Sequence, residues 1–283
     1  MFLFALTLVC LFHSLNFWEF CKPEIHAKIC PSPLIHTVCD PTKAFDNKVS
    51  MISNEFLGHV PMTKNIKGIF LHIHNDYRNR VAGGEEIRNG TTVVKFPKAS
   101  RMRELIWDNE LMYVAHVHTA QTRMGHDICR NTQRFHYAGQ NLGWKGTPYN
   151  VPVLEMLNSS LFDMYMEKDL VPDPIAMAAN YNAEIKKARV GHFTAMVNDR
   201  TSRLGCAISI GLNCKGPPND KIYPWCYYLA CNYDGTNLLY SYIYKTDPKQ
   251  SASQCSDWRV GKSSKYENLC ANSGEIFYPE KMP

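Results

Sequence analysis

Apolar residues recur at Ile66, Ile69, Phe70, Ile73, Tyr77 and Val81, the i, i+3, i+4, i+7 spacing of one helical face, and Gly83-Gly84 closes the run with residues that accept a left-handed cap. A second helix is predicted after Asp108, whose carboxylate can cap the first turn. It carries Trp107, Leu111, Val114, Ala115 and His118 on one side and runs to about Arg123. Between this helix and the next, Gly139-Gln140-Asn141-Leu142-Gly143-Trp144 reads as turn-rich. Val153 to Tyr165 follows as a third helix, with Leu154, Leu157, Leu161 and Tyr165 at helical spacing. Pro172 and Pro174 break the pattern, and the segment to Val190 reads as loop with one short helix. In Gly191-His192-Phe193-Thr194-Ala195-Met196-Val197-Asn198, a β-branched and apolar run predicts a strand over 193–198 with His192 at its half-exposed mouth. Strands over 204–211 and 227–233 complete the pattern. Helices first and antiparallel strands afterwards indicate an α+β fold.

The uncharged apolar stretch from Met1 to Phe12 is too short to span a bilayer and reads as a signal peptide over residues 1–17, with Ser14 and Asn16 near the cleavage point. No later segment approaches membrane-spanning length, so a secreted, extracellular protein is expected. Of eleven cysteines, Cys10 falls in that leader, and the remaining ten form an even set suited to disulfides. None of their spacings makes the paired Cys-x-x-Cys knuckles of a zinc site. The formal net charge of +5 is spread among alternating acids and bases with no basic run, which argues against a nucleic-acid partner. Residues 18–59, with three cysteines and four prolines, read as a disulfide-tied arm lying against the main domain. Two sequons, at Asn89 and Asn158, are candidate glycosylation sites on a secretory route.

Five motifs in order carry a resemblance: His74-Asn75-Asp76-Tyr77-Arg78, Gly125-His126-Asp127 with Cys129, Gly139-Gln140-Asn141-Leu142, Gly191-His192-Phe193-Thr194-Ala195-Met196-Val197, and Leu229-Ala230-Cys231-Asn232-Tyr233. Together they resemble the CAP superfamily of cysteine-rich secretory, antigen 5 and pathogenesis-related proteins. The arm and Met196-Val197-Asn198-Asp199-Arg200 look most like insect antigen-5 proteins, particularly those of flies. The resemblance implies a three-layer α-β-α sandwich around a small antiparallel sheet, over residues 60–246, followed by a tail over 247–283. It also implies the pairs Cys21–Cys39, Cys30–Cys129 and Cys206–Cys231. Sequence proximity then favours Cys214–Cys226 and Cys255–Cys270.

The family's cleft usually carries two histidines and two glutamates. The matching positions here are His126, Gln140, Met164 and His192, so two imidazoles, an amide and a thioether replace the usual set. His126 and His192 are the candidate metal ligands, a weak pair unless Asp163 or Glu167 turns into the cleft, and no cofactor is expected. Neither a Gly-x-Ser-x-Gly elbow nor His-Glu-x-x-His is present, and no enzyme activity is expected. His72 and His74 point to different sides of their helix, as do His116 and His118, with His118 packing towards the core. Asn75 and Arg78 are expected to bind within the fold, and Tyr223, Trp225, Tyr227 and Tyr228 to divide between core and a ligand-facing surface. Asn198 replaces the family's usual tryptophan, and the turn Asp234-Gly235-Thr236-Asn237 is one residue shorter. The reading this favours is a monomeric, secreted, non-catalytic protein that binds an unknown extracellular protein. The alternative is a carrier of a small apolar ligand, a sterol or fatty acid, which requires a cleft with mostly apolar walls. The third reading is a metal-dependent hydrolase.

Overall fold

In the computed structural model the described residues are 17–45, 49–90 and 93–277, so the leader up to Asn16 lies outside them. The chain order is α1 (Pro23–Ile29), β1 (Glu55–His59), α2 (Lys64–Ala82), β2 (Ile87–Arg88), β3 (Val94–Lys95), β4 (Ile106–Trp107), α3 (Asn109–Thr119), β5 (Gly139–Thr147), α4 (Val153–Met166), α5 (Pro174–Ala179), α6 (Ala183–Lys187), α7 (Gly191–Met196), β6 (Arg203–Gly216) and β7 (Lys221–Tyr233). The main sheet runs β1-β6-β7-β5 with antiparallel neighbours, and the two-residue β4 pairs parallel to β6.

Alternation along the two long strands makes the layers. Leu204, Cys206 and Ile208 of β6, with Tyr227, Leu229, Cys231 and Tyr233 of β7, join the large core that includes residues of α2, α4 and α7. On the other face Ala207 and Ala230 pack with Ala115 of α3 and Leu142 of β5. Small residues on this face let α3 lie against the strand backbone. A Cβ at Gly205 would run into the backbone of Leu111 and Met112, so only glycine allows the approach. The α-β-α arrangement is therefore the expected one, and both faces of β7 are covered. Tyr227 and Tyr228 are consequently both buried, while Tyr223 and Trp225 at the open end are half-buried.

Several local expectations are corrected. Residues 193–198 are not a strand: Gly191–Met196 is the helix α7, its first N–H groups taken by a carboxylate from Glu167 and the Thr194 hydroxyl returned to the Val190 carbonyl at 2.8 Å. A short apolar run has no period of its own, and here a distant acid decides its conformation. The Gly139–Trp144 stretch is not a turn but strand β5, in register with β7 from Gly139↔Tyr233 to Thr147↔Trp225. Its glycines serve close approach: side chains at Gly139 and Gly146 would collide with Gly235 and with Tyr223 and Trp144. The second helix stops at Thr119 rather than near Arg123, because Thr122 turns to φ +45° and donates its hydroxyl to the Ser53 carbonyl at 2.7 Å. Between Pro172 and Val190 there are two short helices instead of one, capped by Asp173 and Asn182. Leu154 points outward, 44% exposed, although Leu157, Leu161 and Tyr165 are buried. Residues 55–59 of the arm form the edge strand β1.

The expected caps are present. Asp108 Oδ1 accepts from the N–H groups of Glu110 and Leu111 at 2.9 and 3.1 Å, and the chain leaves α2 through Gly84 at φ +71°. Disulfides join Cys21–Cys39, Cys30–Cys129, Cys206–Cys231, Cys214–Cys226 and Cys255–Cys270. The polar tail docks on the domain. Trp258 is fully buried and donates its indole N–H to the Arg101 carbonyl at 2.7 Å, and Cys270 exchanges backbone hydrogen bonds with Met102 and Glu104.

The buried face of α2 carries three polar residues among Phe70, Val81 and Ala82, and each of the three has hydrogen-bond partners. His74 Nδ1–H donates to the Phe70 carbonyl at 2.8 Å while Nε2 accepts from the Tyr233 hydroxyl at 3.0 Å. Asn75 exchanges two bonds with the backbone of Leu105, at 2.7 and 3.1 Å. The buried Arg78 guanidinium donates to the carbonyls of Arg103, Met196, Asn198 and Thr201 at 2.7–3.1 Å. Replacing Arg78 by methionine strips donors from four buried carbonyl oxygens and should cost about 4 kcal/mol or more in urea unfolding. Arg78→Lys, with three donors on a flexible stem, should recover part of that loss.

Burial pulls the His74 and His36 rings from 6.5 down to about 4. The unfolded chain takes up protons at these rings from about pH 6.5 downward, and the folded chain does so only near 4. Stability should therefore fall as pH drops through that window, by about 3 kcal/mol or more in sum. Urea midpoints measured from pH 7 to pH 4 check this, and a flat profile contradicts it.

Candidate functional site

The cleft opens where three motifs meet: the loop carrying His126, the start of β5 with Gln140 and Asn141, and the first turn of α7 with His192. It measures about 500 Å³. The 3-10 turn after α4 (Glu167–Leu170) and the α6–α7 connection close its other side. His126 Nδ1–H donates to Gln140 Oε1 at 2.8 Å, and the Gln140 amide donates onward to Asn232 Oδ1 at 3.2 Å. Burial lowers the His126 pKa, with the Gln140 bond opposing it. His192 Nδ1–H donates to Glu167 Oε1 at 2.6 Å. The other oxygen of Glu167 accepts the backbone N–H groups of His192 and Phe193 at 2.9 and 3.1 Å. One carboxylate thus fixes both the ring of His192 and the helix that carries it.

Behind the cleft, Asp127 is buried. Burial alone would raise its carboxyl, but the adjoining Arg130 guanidinium, the His118 ring at 3.1 Å and the Thr37 hydroxyl at 2.7 Å together hold it well below the usual range. The Gly-His-Asp motif therefore faces two ways, with His126 towards the cleft and Asp127 anchoring the arm. The shorter turn after β7 is tied down by Asn198, whose amide donates to the Thr236 carbonyl at 3.1 Å, and by Asn237, which donates to Gly191 and Thr194.

Of the four positions read from the sequence, the structure brings His126, Gln140 and His192 to the cleft and not Met164. Met164 is 4% exposed and sits against Gly143 of β5, and Asp163 is exposed on the other side of α4. The carboxylate that reaches His192 is Glu167, three residues further on. The turn tightens from α-helix to 3-10 at this point, which brings i+3 onto the face of i. Of the two acids the sequence offered to the cleft, Asp163 and Glu167, it is Glu167 that turns into it.

Divalent metal chemistry requires donors that converge. Among the described residues, no group of three or more His, Cys, Asp or Glu could hold an ion. In the cleft the acid beside His126 is replaced by the Gln140 amide, and Glu167 commits its oxygens to His192 and two backbone N–H groups, so no carboxylate of the described residues converges on both imidazoles. The residues present do not fit a resident metal. The walls are mixed: Glu167, Lys186, Arg189 and Asn141 line the cleft alongside the two histidines, together with Tyr181, Leu238 and Leu239.

A covered antiparallel sheet with paired His-bearing motifs at one end, closed by arm and hairpin disulfides, is a cysteine-rich secretory domain. The chain belongs to the CAP family: the model of the cysteine-rich secretory protein family matches residues 71–233. Its relatives are insect venom allergens and antigen 5 proteins. Venom allergen-1 of Aedes albopictus is 31% identical, the match covering 75% of each chain. The antigen 5 like allergen Cul n 1 of Culicoides nubeculosus is 40% identical over 53% of this chain and 64% of its own. Venom allergen 5 of the wasp Polybia paulista is 32% identical over 76% of this chain and 95% of its own. Among solved structures, BmVAL-1 has a TM-score of 0.59 at 22% identity, covering 75% of this chain and 96% of its own. NaASP2, solved with Zn2+, has a TM-score of 0.57 at 20% identity, covering 74% and 96%. Both show the shared fold.

If the missing acid is what weakens metal binding, Gln140→Glu should tighten Zn2+ by at least about tenfold in calorimetric titration, since it places a carboxylate beside His126. The unmodified chain should bind weakly, and equal affinities would assign the weakness elsewhere.

Proposed function

We propose that this chain is a secreted, non-catalytic protein that acts by binding another extracellular protein. The observation that carries this reading is the pairwise engagement of the cleft: His126 with Gln140 and His192 with Glu167. General-base chemistry needs a histidine or carboxylate poised on a nucleophile, and among the described residues no Ser, Thr or Cys lines the cleft for either ring to activate. Ten paired cysteines fit an oxidising compartment, and the venom-allergen relatives support a route into a secretion. Among the described residues no helix is long and apolar enough to cross a membrane.

The contact surface on this reading is the rim of the cleft. Tyr240 is 70% exposed and is held at φ +63°, its N–H donating to the Tyr181 carbonyl at 2.8 Å. Leu239 lies beside it, and Lys186 and Arg189 supply positive charge across the cleft. A rigidly presented aromatic with an apolar neighbour and a basic rim is the composition of a binding hot spot, and the basic rim selects an acidic partner surface. The charges of Glu167, Lys186 and Arg189 in its walls make the cleft less suited to a sterol or fatty acid than a mostly apolar one.

Native mass spectrometry of the chain secreted from insect cells should give an apo protein with five disulfides and glycans removable from Asn89 and Asn158. A partner captured from the recipient fluid by the wild type should be lost with Tyr240→Ser and retained by His126→Ala and His192→Ala. A sterol or long-chain fatty acid released on denaturation, or turnover abolished by either histidine variant, would overturn the reading.

A further inference from the structure

A second cavity, about 210 Å³, lies between the turn after β7, the loop 134–137 and the end of the tail. Phe135, Ile276 and Phe277 give it apolar walls, and Arg103 and Arg200 line it as cations. Arg103 is the unusual member. It is 2% exposed, and its guanidinium lies 4.0 Å from the Trp258 ring and 5.3 Å from that of Phe277. One acceptor serves it, the Arg200 carbonyl at 3.2 Å from Nη2, and its buried Nε has no hydrogen-bond partner.

The neighbouring arginines have counterions. Arg101 pairs with Asp199 and Asp257, Arg203 with Asp108, and Arg134 with Asp108 and Glu110. Arg78, equally buried, is satisfied by carbonyls. Arg200 donates to Asn198, Ser241 and Tyr242, all uncharged acceptors. Asp234, also at the cavity, spends its oxygens on Ser202 and on the N–H of Arg203. Among the described residues, Arg103 and Arg200 thus bring two cations to an apolar-walled space with no carboxylate in ion-pair contact. Burial lowers Arg103 to about 10, the charges of Asp234 and Asp199 opposing from beyond ion-pair contact, which leaves it charged at neutral pH. A buried cation without a carboxylate in direct contact is costly, and an anion bound against it offsets that cost.

We propose that this cavity binds a small organic carboxylate, its acid group on the Arg103 and Arg200 side and its apolar body against Phe135, Ile276 and Phe277. A cavity of about 150 Å³ accommodates a benzene ring, so the ligand is one ring or a short acyl chain. The site is separate from the histidine cleft and independent of the protein-binding reading. Its ligand is recognised by one charge and one apolar body, as small-molecule sites generally are.

Calorimetric titration of the full chain with benzoate and hexanoate, against benzamide and hexanamide, tests it. The acids should bind at a single saturable site, at least about tenfold more tightly than the amides, because the charge-assisted bonds require the carboxylate. Arg103→Met should weaken the acids by about tenfold or more. Because that variant can disturb the tail, Ile276→Trp, which fills the cavity from its wall, is the second test and should abolish binding with the thermal unfolding midpoint retained. His192→Ala should change nothing. Failure of both acids to bind at millimolar concentration, amides binding as well as acids, or full affinity in Ile276→Trp each overturns the proposal.

Discussion

The fold hangs on one buried cation. The Arg78 guanidinium lies at the centre of the α2 face and draws in the backbone before β4, the end of α7 and the loop that leads into β6. The stretch before β4 lies far in sequence from the other two, which adjoin each other, and neither loop has enough regular structure to fix its own path. Carbonyl oxygens left in an apolar interior cost more than a hydrogen bond returns, so once Arg78 is inside, the segments must converge on it. Burial lowers its pKa to about 9, which still leaves the charge in place at neutral pH.

That convergence reaches the cleft by a continuous path. From the Phe70 carbonyl the chain of hydrogen bonds runs through His74 to the Tyr233 hydroxyl, then to the Asn141 amide, which also donates to the His192 carbonyl at 3.0 Å. Residues from α2, β7, β5 and α7 are thereby registered against one another by polar groups with no access to water. Buried networks of this kind are stabilising only when every member is satisfied, and here each member has its partner. The Cys206–Cys231 bridge ties β6 to β7 directly across the register beside it.

How much of this could be read from the residues depended on whether the cause was local. The helices α2, α3 and α4 carried their own period, and the Asp108 cap was visible because its partners lie two and three residues away. The polar residues on the buried face of α2 were readable as structural, since Asn75 and Arg78 had no chemistry to perform. The residues of α7 misled because the apolar and β-branched run Phe193 to Val197 fits a strand equally well, and the acid that makes it helical sits 25 residues earlier in the chain. β5 misled because its glycines look like a turn when their crowding neighbours, Gly235 and Tyr223, are not yet in view. The cysteine pairs needed outside information for the arm and sheet, whereas the hairpin and tail pairs followed from proximity.

The cleft shows the same dependence at the level of chemistry. Matching positions along α4 led to Met164, but the side chain at that position is packed beneath β5, and it is Glu167, at the start of the 3-10 turn that follows the helix, that reaches His192 instead. Glu167 is a carboxylate in the right place with the wrong freedom. It accepts two backbone N–H groups and an imidazole N–H. An acid so engaged has its geometry fixed and its oxygens occupied, which suits a cap. With Gln140 uncharged opposite it, the cleft has changed from a set of converging donors into a brace. The surface that remains free to recognise another molecule is the rim that this brace supports.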